Sequence, residues 1–302
     1  MAHYYKSGRP ERITAMVGEK LKKMHKYRMT TPREVRTMNE RIKRLRDESF
    51  EAHPSICIER AVLETEFYKE NDNKYPMPVM RAMNFRHICR NKKIYIGKDE
   101  LIVGERGSKP KAVSTFPELT CHSREDLEIL NIRKQQNYTV DPEDINTYEE
   151  KVIPFWRGRC MRDKLFDRMP EDWTKLYEAG TFTEFGEQRA LGHTALDGLI
   201  YTNGMLDLKK QIAEARAKLD YLKDPEATAK DEQLQGMDIS CDAVIIFAER
   251  HAELAEKMAA GESDPKRKAE LLKIADVCRW VPANAPRDFW EAVQMYWFVH
   301  LG

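Results

Sequence analysis

Thirteen residues, FTEFGEQRALGHT at 182–194, gather two aromatics, two glutamates, a glutamine, an arginine and a histidine. Gly186 and Gly192 interrupt the stretch where a plain amphipathic helix would not place them, and favour turns or close backbone approach. If residues 185–189 are helical, Phe185 and Arg189 stand four apart and share one face. An aromatic floor beside a planar guanidinium fork suits a carboxylate or a sulfonate. His193, just past the turn, can exchange a proton or orient a substrate hydroxyl. The same spacing also permits a surface loop, with Arg189 paired to Glu184 or Glu187 and His193 bonded to a loop carbonyl.

Other candidate chemistry is thinner. Six cysteines, at 57, 89, 121, 160, 241 and 278, show no CxxC spacing and none sits beside an expected acid or base. That argues against a zinc ribbon, a disulfide framework or a nucleophilic thiol, and for a reducing, cytoplasmic setting. Cys121-His122 lacks metal-ligand spacing, so no metal site is expected. Gly104-Glu105-Arg106-Gly107 has neither phosphate-loop pattern. His251 falls on an apolar helical face and reads as a core histidine.

The elements that must position these residues are mostly helical. Thr31-Pro32 and Asp141-Pro142 are N-cap and N1 pairs, and Ser123 with Asp126 makes an S-x-x-D box. Pro154 is expected to break or kink its helix. Helices are expected over about 206–222, 234–260 and 266–278, with a last one from 287 onward. One β element stands out: Ile94-Tyr95-Ile96 and Leu101-Ile102-Val103 flank Gly97-Lys98-Asp99-Glu100 as strand, turn, strand, a short β-hairpin. The C-terminal FWEAVQMYWFVHLG is apolar nearly all round, the pattern of a helix buried on every side. Such a helix calls for covering elements from a partner or from further chain.

At 302 residues with 33% charged and 41% hydrophobic side chains, the chain has the balance of a soluble globular protein. No apolar run is long enough for a membrane span, and no secretory signal is present. The net charge of +1 is uneven, +10 over residues 1–46 against −9 over the remainder. The leader has helical period at Ile13, Val17, Leu21 and Met24, with no aromatic interleaving. It reads as a basic helical N-terminal arm, and nucleic acid is not the expected partner.

Six ordered blocks raise a more specific expectation: SICIERAVLETEFYKEN, KDELIVGERGSKPKAVSTFPELTCHSREDLE, PFWRGR, YEAGTFTEFGEQRALGHT, GMLDLKKQI and VQMYWFVHLG. In this order and spacing, over about residues 40–302, they resemble the N-terminal part of glycyl radical enzymes, the pyruvate formate-lyase-like superfamily. The likeness runs toward its hydroxyproline dehydratases, with the hydroxyalkanesulfonate C–S lyases as near relatives. The resemblance implies that 47–302 is the helical N-terminal portion of a ten-stranded α/β barrel. It implies an anaerobic lyase in which a cysteine thiyl abstracts a substrate hydrogen atom and water or another group leaves. The radical is stored on a glycine and installed by a separate radical-SAM iron–sulfur activating enzyme, and the full-length protein is expected to be a homodimer.

Carried onto this sequence, the resemblance makes Phe185 and His193 lining residues of a pocket for a small hydroxylated anion such as 4-hydroxyproline. Arg189 lies between them, where the sulfonate lyases use an arginine against sulfonate. Histidine at 193 points to the dehydratase pattern, since the isethionate lyases have glutamine there. Leu191, where that pattern has proline, and Ala195-Leu196-Asp197 depart from it. No Gly-Cys-x-Glu loop and no Arg-Val-x-Gly-aromatic segment occurs in the 302 residues, so the chain is expected to be a fragment that does not turn over alone. A reading of another class is a non-catalytic helical interaction protein that keeps the scaffold and binds a partner through its apolar C-terminal helix.

Overall fold

The computed structural model describes residues 39–181 and 196–302. The chain divides into two units, Met1–Arg44 and Leu45–Gly302, and of the first only residues 39–44 are described. Helix α1 (Glu40–Glu51) leads to strand β1 (Ser55–Cys57), helices α2 (Glu59–Asn71) and α3 (Met77–Asn91), and strand β2 (Ala112–Ser114). Then come α4 (Arg124–Ile132), α5 (Pro142–Thr147), a π-helical turn (Tyr148–Val152), α6 (Ile153–Trp156), α7 (Met161–Arg168) and α8 (Glu171–Glu178). A 3-10 turn (Asp197–Tyr201) precedes α9 (Met205–Ala217), α10 (Ala227–Gly261), α11 (Pro265–Trp280) and α12 (Phe289–Leu301).

Local chemistry sets several helix starts. Ser123 Oγ accepts from the Asp126 amide at 3.2 Å while Asp126 accepts from the Ser123 amide at 2.8 Å, a reciprocal capping box. Asp141 and Asp264 each cap a helix that has proline in its first turn. Pro154 brings no N–H and crowds the turn before it, and the helix widens into the π-helical turn just upstream instead of breaking.

The 35-residue α10 organises the larger core, running about 50 Å at 1.5 Å per residue. Ala248, Ala252, Ala255 and Ala259 form a stripe no more than 1% exposed. Such small side chains let α3 and α11 approach closely. Gly236 shows how closely: a Cβ there would lie 2.9 Å from the Pro78 carbonyl oxygen of α3. His251 sits fully buried among these residues, its Nδ1–H donating to the Phe247 carbonyl at 2.8 Å, with its ring 4.5 Å from that of Phe247 and 5.4 Å from that of Phe298.

Burial lowers the His251 pKa from 6.5 to about 4, so the ring is neutral. The stability tied to that neutral ring is complete above pH 6.5 and is lost as pH falls through about 4. The shift corresponds to roughly 3 kcal/mol. His251→Leu should therefore lose less stability than the parent between pH 7 and pH 4, read as the shift in urea midpoint.

The expected hairpin does not form. Residues 94–96 and 101–103 are not strands, although residues 97–100 do make the turn. Ile96 and Val103 are buried at 5% and 0% exposure, so their apolar character is used, but against helices. The backbone of this segment is satisfied by side chains in place of a ladder. Arg267 donates to the carbonyls of Gly97 and Glu100 at 2.9 and 2.8 Å, and Trp290 Nε1 donates to that of Leu101 at 3.0 Å. Gln294 Nε2 donates to the Val103 carbonyl and its Oε1 accepts from the Val103 amide, both at 2.8 Å. Trp297 Nε1 donates to the Gly104 carbonyl at 2.8 Å, where φ is +121° and a Cβ would lie 2.8 Å from Leu301 Cδ1.

The sheet that does form among the described residues is parallel, β1 beside β2, with Ser55, Ile56 and Cys57 opposite Ala112, Val113 and Ser114. Thr139 adds a bridge to Ser55. Helix α12 is covered on only part of its surface among the described residues. Met295 and Phe298 are at 0% exposure, whereas Phe289 is at 84% and His300 is exposed.

Candidate functional site

Phe185, Arg189 and His193 lie outside the described residues, so their mutual geometry is not part of the described fold. The elements on either side of them are defined. Helix α8 closes at Gly180, whose φ is +71°, and Phe166 of α7 meets Tyr177 of α8 edge-on with ring centroids 5.0 Å apart. On the far side the 3-10 turn buries Ile200 to 1% exposure in a cluster with Met205, Met295 and Val299.

The described residues assemble a different charged cluster, which sequence reasoning did not single out. Arg60 and Glu64 stand one turn apart on α2, with Nη1 2.8 Å from Glu64 Oε2. The same guanidinium reaches Glu118, from the loop after β2, with Nη2 2.7 Å from Oε1 and Nη1 3.1 Å from Oε2. Its plane lies over the Phe116 ring, 4.2 Å from the centroid. Asn84 of α3 donates to Glu64 Oε1 at 2.9 Å. Glu64 is only 2% exposed.

This geometry pushes the two acids apart. Burial drives the Glu64 pKa up to about 8; Arg60 opposes that shift, while the bond and charge of Glu118 reinforce it. Burial acts on Glu118 in the same sense, but hydrogen bonds from Arg60 and Glu64 outweigh it and hold that carboxyl below the usual range. The two acids are thus pushed in opposite directions, Glu64 toward its protonated form and Glu118 toward the carboxylate that Arg60 balances. The signal in the sequence was the i,i+4 pair inside ERAVLETE; its third member lies 58 residues from Arg60.

The remaining reactive groups are quieter. Burial pushes the thiols of Cys89, Cys121 and Cys278 up to about 12 and that of Cys241 up to about 11, and it raises Cys160 as well. These are thiols rather than thiolates near neutrality. Lys92 is lowered by burial and caps the Glu105 and Arg106 carbonyls at 3.2 and 3.1 Å. No group of three or more metal-ligating side chains occurs among the described residues, and no described helix is long and apolar enough to cross a membrane.

The model of the family described as "Pyruvate formate lyase-like" matches residues 36–302. The chain belongs to that family. Within the pyruvate formate lyase-like family it is 47% identical over 263 residues to the trans-4-hydroxy-L-proline dehydratase of Clostridioides difficile, covering 87% of this chain and 33% of that protein. It is 33% identical over 293 residues to the isethionate sulfite-lyase of Desulfovibrio desulfuricans, covering 91% and 33%. The crystal structure of the hydroxyproline dehydratase with substrate bound superposes with a TM-score of 0.84 over 88% of this chain and 34% of that one, at 47% identity. The glycerol-bound B12-independent glycerol dehydratase of Clostridium butyricum gives 0.81 at 29% identity, over 90% and 34%.

The chain therefore spans about a third of the length of the pyruvate formate lyase-like proteins it matches. Its described part is helical with the small parallel sheet, and it also superposes on a glycyl radical enzyme from Archaeoglobus fulgidus with a TM-score of 0.74 at 29% identity, over 87% of this chain and 34% of that one.

Proposed function

We propose that these 302 residues form the N-terminal third of a glycyl radical dehydratase acting on a small hydroxylated anion, with 4-hydroxyproline as the substrate favoured. What carries this reading is the 47% identity to a hydroxyproline dehydratase, against 33% to an isethionate sulfite-lyase. His193, at the position where the isethionate lyase pattern has glutamine, supports the same side.

In this proposal Phe185 forms an apolar wall and Arg189 offers its guanidinium to the substrate carboxylate. His193 orients the hydroxyl that leaves as water. A glycyl radical, installed by a radical-SAM activating enzyme, would supply the cysteine thiyl that takes the substrate hydrogen. The substrate, the activating enzyme and a second copy of the chain are the partners of this reading.

The test is anaerobic activation of the protein expressed from its own gene, followed by incubation with trans-4-hydroxy-L-proline or isethionate. Loss of water from hydroxyproline without sulfite release is the expected outcome. Sulfite release from isethionate would overturn the substrate assignment. His193→Gln should lower kcat/KM for hydroxyproline at least roughly tenfold, because a polar contact to the leaving hydroxyl is lost.

A further inference from the structure

Two carboxyls share one guanidinium, and the carboxyl of Glu64 is almost wholly excluded from water, at 2% exposure. With both ionised, the cluster would hold an uncompensated negative charge out of water, which is strongly unfavourable. A single proton removes it. Asn84 donates an N–H to Glu64 Oε1, which favours the charged form but is outweighed by burial.

The Glu118 end of the cluster is mechanically connected. Its carbonyl accepts from the Met161 amide at 2.9 Å, and that of Leu119 accepts from the Arg162 amide at 3.0 Å. These are the first residues of α7, from which the chain runs through α8 toward residues 182–194. We propose that Arg60, Glu64 and Glu118 form a one-proton latch: a single proton held by the two carboxyls keeps both seated on one guanidinium, and losing it loosens residues 116–120 and the start of α7 from α2.

The charged and titratable groups facing the latch are Arg60 and Tyr68 on α2, Arg81 acting through Tyr68 from α3, and Tyr148 near Glu118. Burial pushes Tyr68 up to about 12 and raises Tyr148 too, so neither titrates alongside the latch. A carboxyl raised in the folded state contributes stability that is complete below its unfolded value of 4.5 and is lost as pH rises through about 8.

The experiment compares the protein expressed from its own gene with its Glu64→Gln variant, in which an amide stands in for the protonated acid. The ratio of their unfolding constants should change about tenfold per pH unit between roughly pH 5 and pH 8, then flatten. Intrinsic-rate-corrected exchange protection of the Met161 and Arg162 amides should fall over the same range in the parent only. Glu118→Gln leaves Arg60 to Glu64 alone and should move the window to lower pH. Parallel pH profiles for parent and Glu64→Gln would overturn the latch. If Glu64→Gln does not fold, infrared spectroscopy of the parent decides the matter: a protonated glutamate stretch at pH 7 that vanishes by pH 9 is expected. Its absence at pH 7 overturns the proposal.

Discussion

Arg60→Met should lower the stability of the protein by about 3 kcal/mol at pH 7, measured by urea denaturation. The variant keeps the length and apolar stem of arginine but leaves Glu118 without the cation that balances it. Breaking a buried pair usually costs about 3–5 kcal/mol, and the lower end applies here because the Glu118 side chain retains 27% exposure. The loss should shrink toward pH 5, because a carboxyl without its cation takes up a proton and ceases to be a buried charge. Adding Glu118→Gln should restore part of the loss, since the charge Arg60 served is then gone. Equal and additive losses in the two single variants would show instead that Arg60 acts through its packing on Phe116 and not through the carboxylate.

The helices were largely readable from sequence because each is marked by chemistry local to a few residues. Ser123 and Asp126 cap each other as their spacing implies, and Asp141-Pro142 opens α5. His251 was readable as a core histidine because Phe247, Leu254 and Met258 share its helical face. The charged cluster was only half readable. Arg60 and Glu64 announce themselves by spacing on one helix, but nothing local tells Glu118 that its partner lies on α2. Helix α12 keeps apolar surface uncovered, as its composition implied. Its burial depends on which neighbours reach it, and a run of aromatics does not reveal that Phe289 faces outward at 84% exposure.

The candidate pocket shows the opposite balance. The stretch 182–194 is rich in groups that can hold an anion and move a proton, and its glycines mark it as irregular backbone. From types and spacing alone both a pocket wall and a salt-bridged surface loop fit, and the surface loop is the more ordinary of the two. The particular roles proposed for Phe185, Arg189 and His193 come from the family likeness, and what the match over residues 36–302 bears out is the family.

Gln294→Leu should be about as damaging as the loss of Arg60, with roughly 2–6 kcal/mol of stability removed. Gln294 and Val103 are both fully buried, and the glutamine amide pairs with both the N–H and the C=O of Val103 at 2.8 Å. It does for that residue what a neighbouring strand would do. Leucine matches its size but leaves one donor and one acceptor dry and unpaired, each costing about 1–3 kcal/mol. This exchange also explains why a hairpin was expected where none exists. Ile94-Tyr95-Ile96 and Leu101-Ile102-Val103 carry the apolar composition of strands because they enter a core. The turn carbonyls of Gly97 and Glu100 meet Arg267, and the backbone of Leu101 and Val103 meets Trp290 and Gln294, all drawn from helices more than 160 residues later. Restoring the pairing, as in Gln294→Glu at a pH where the acid is protonated and offers one donor and one acceptor, should recover more stability than leucine leaves. If leucine and glutamine prove equally stable, the Val103 backbone must find other partners, and the segment owes its path to apolar burial alone.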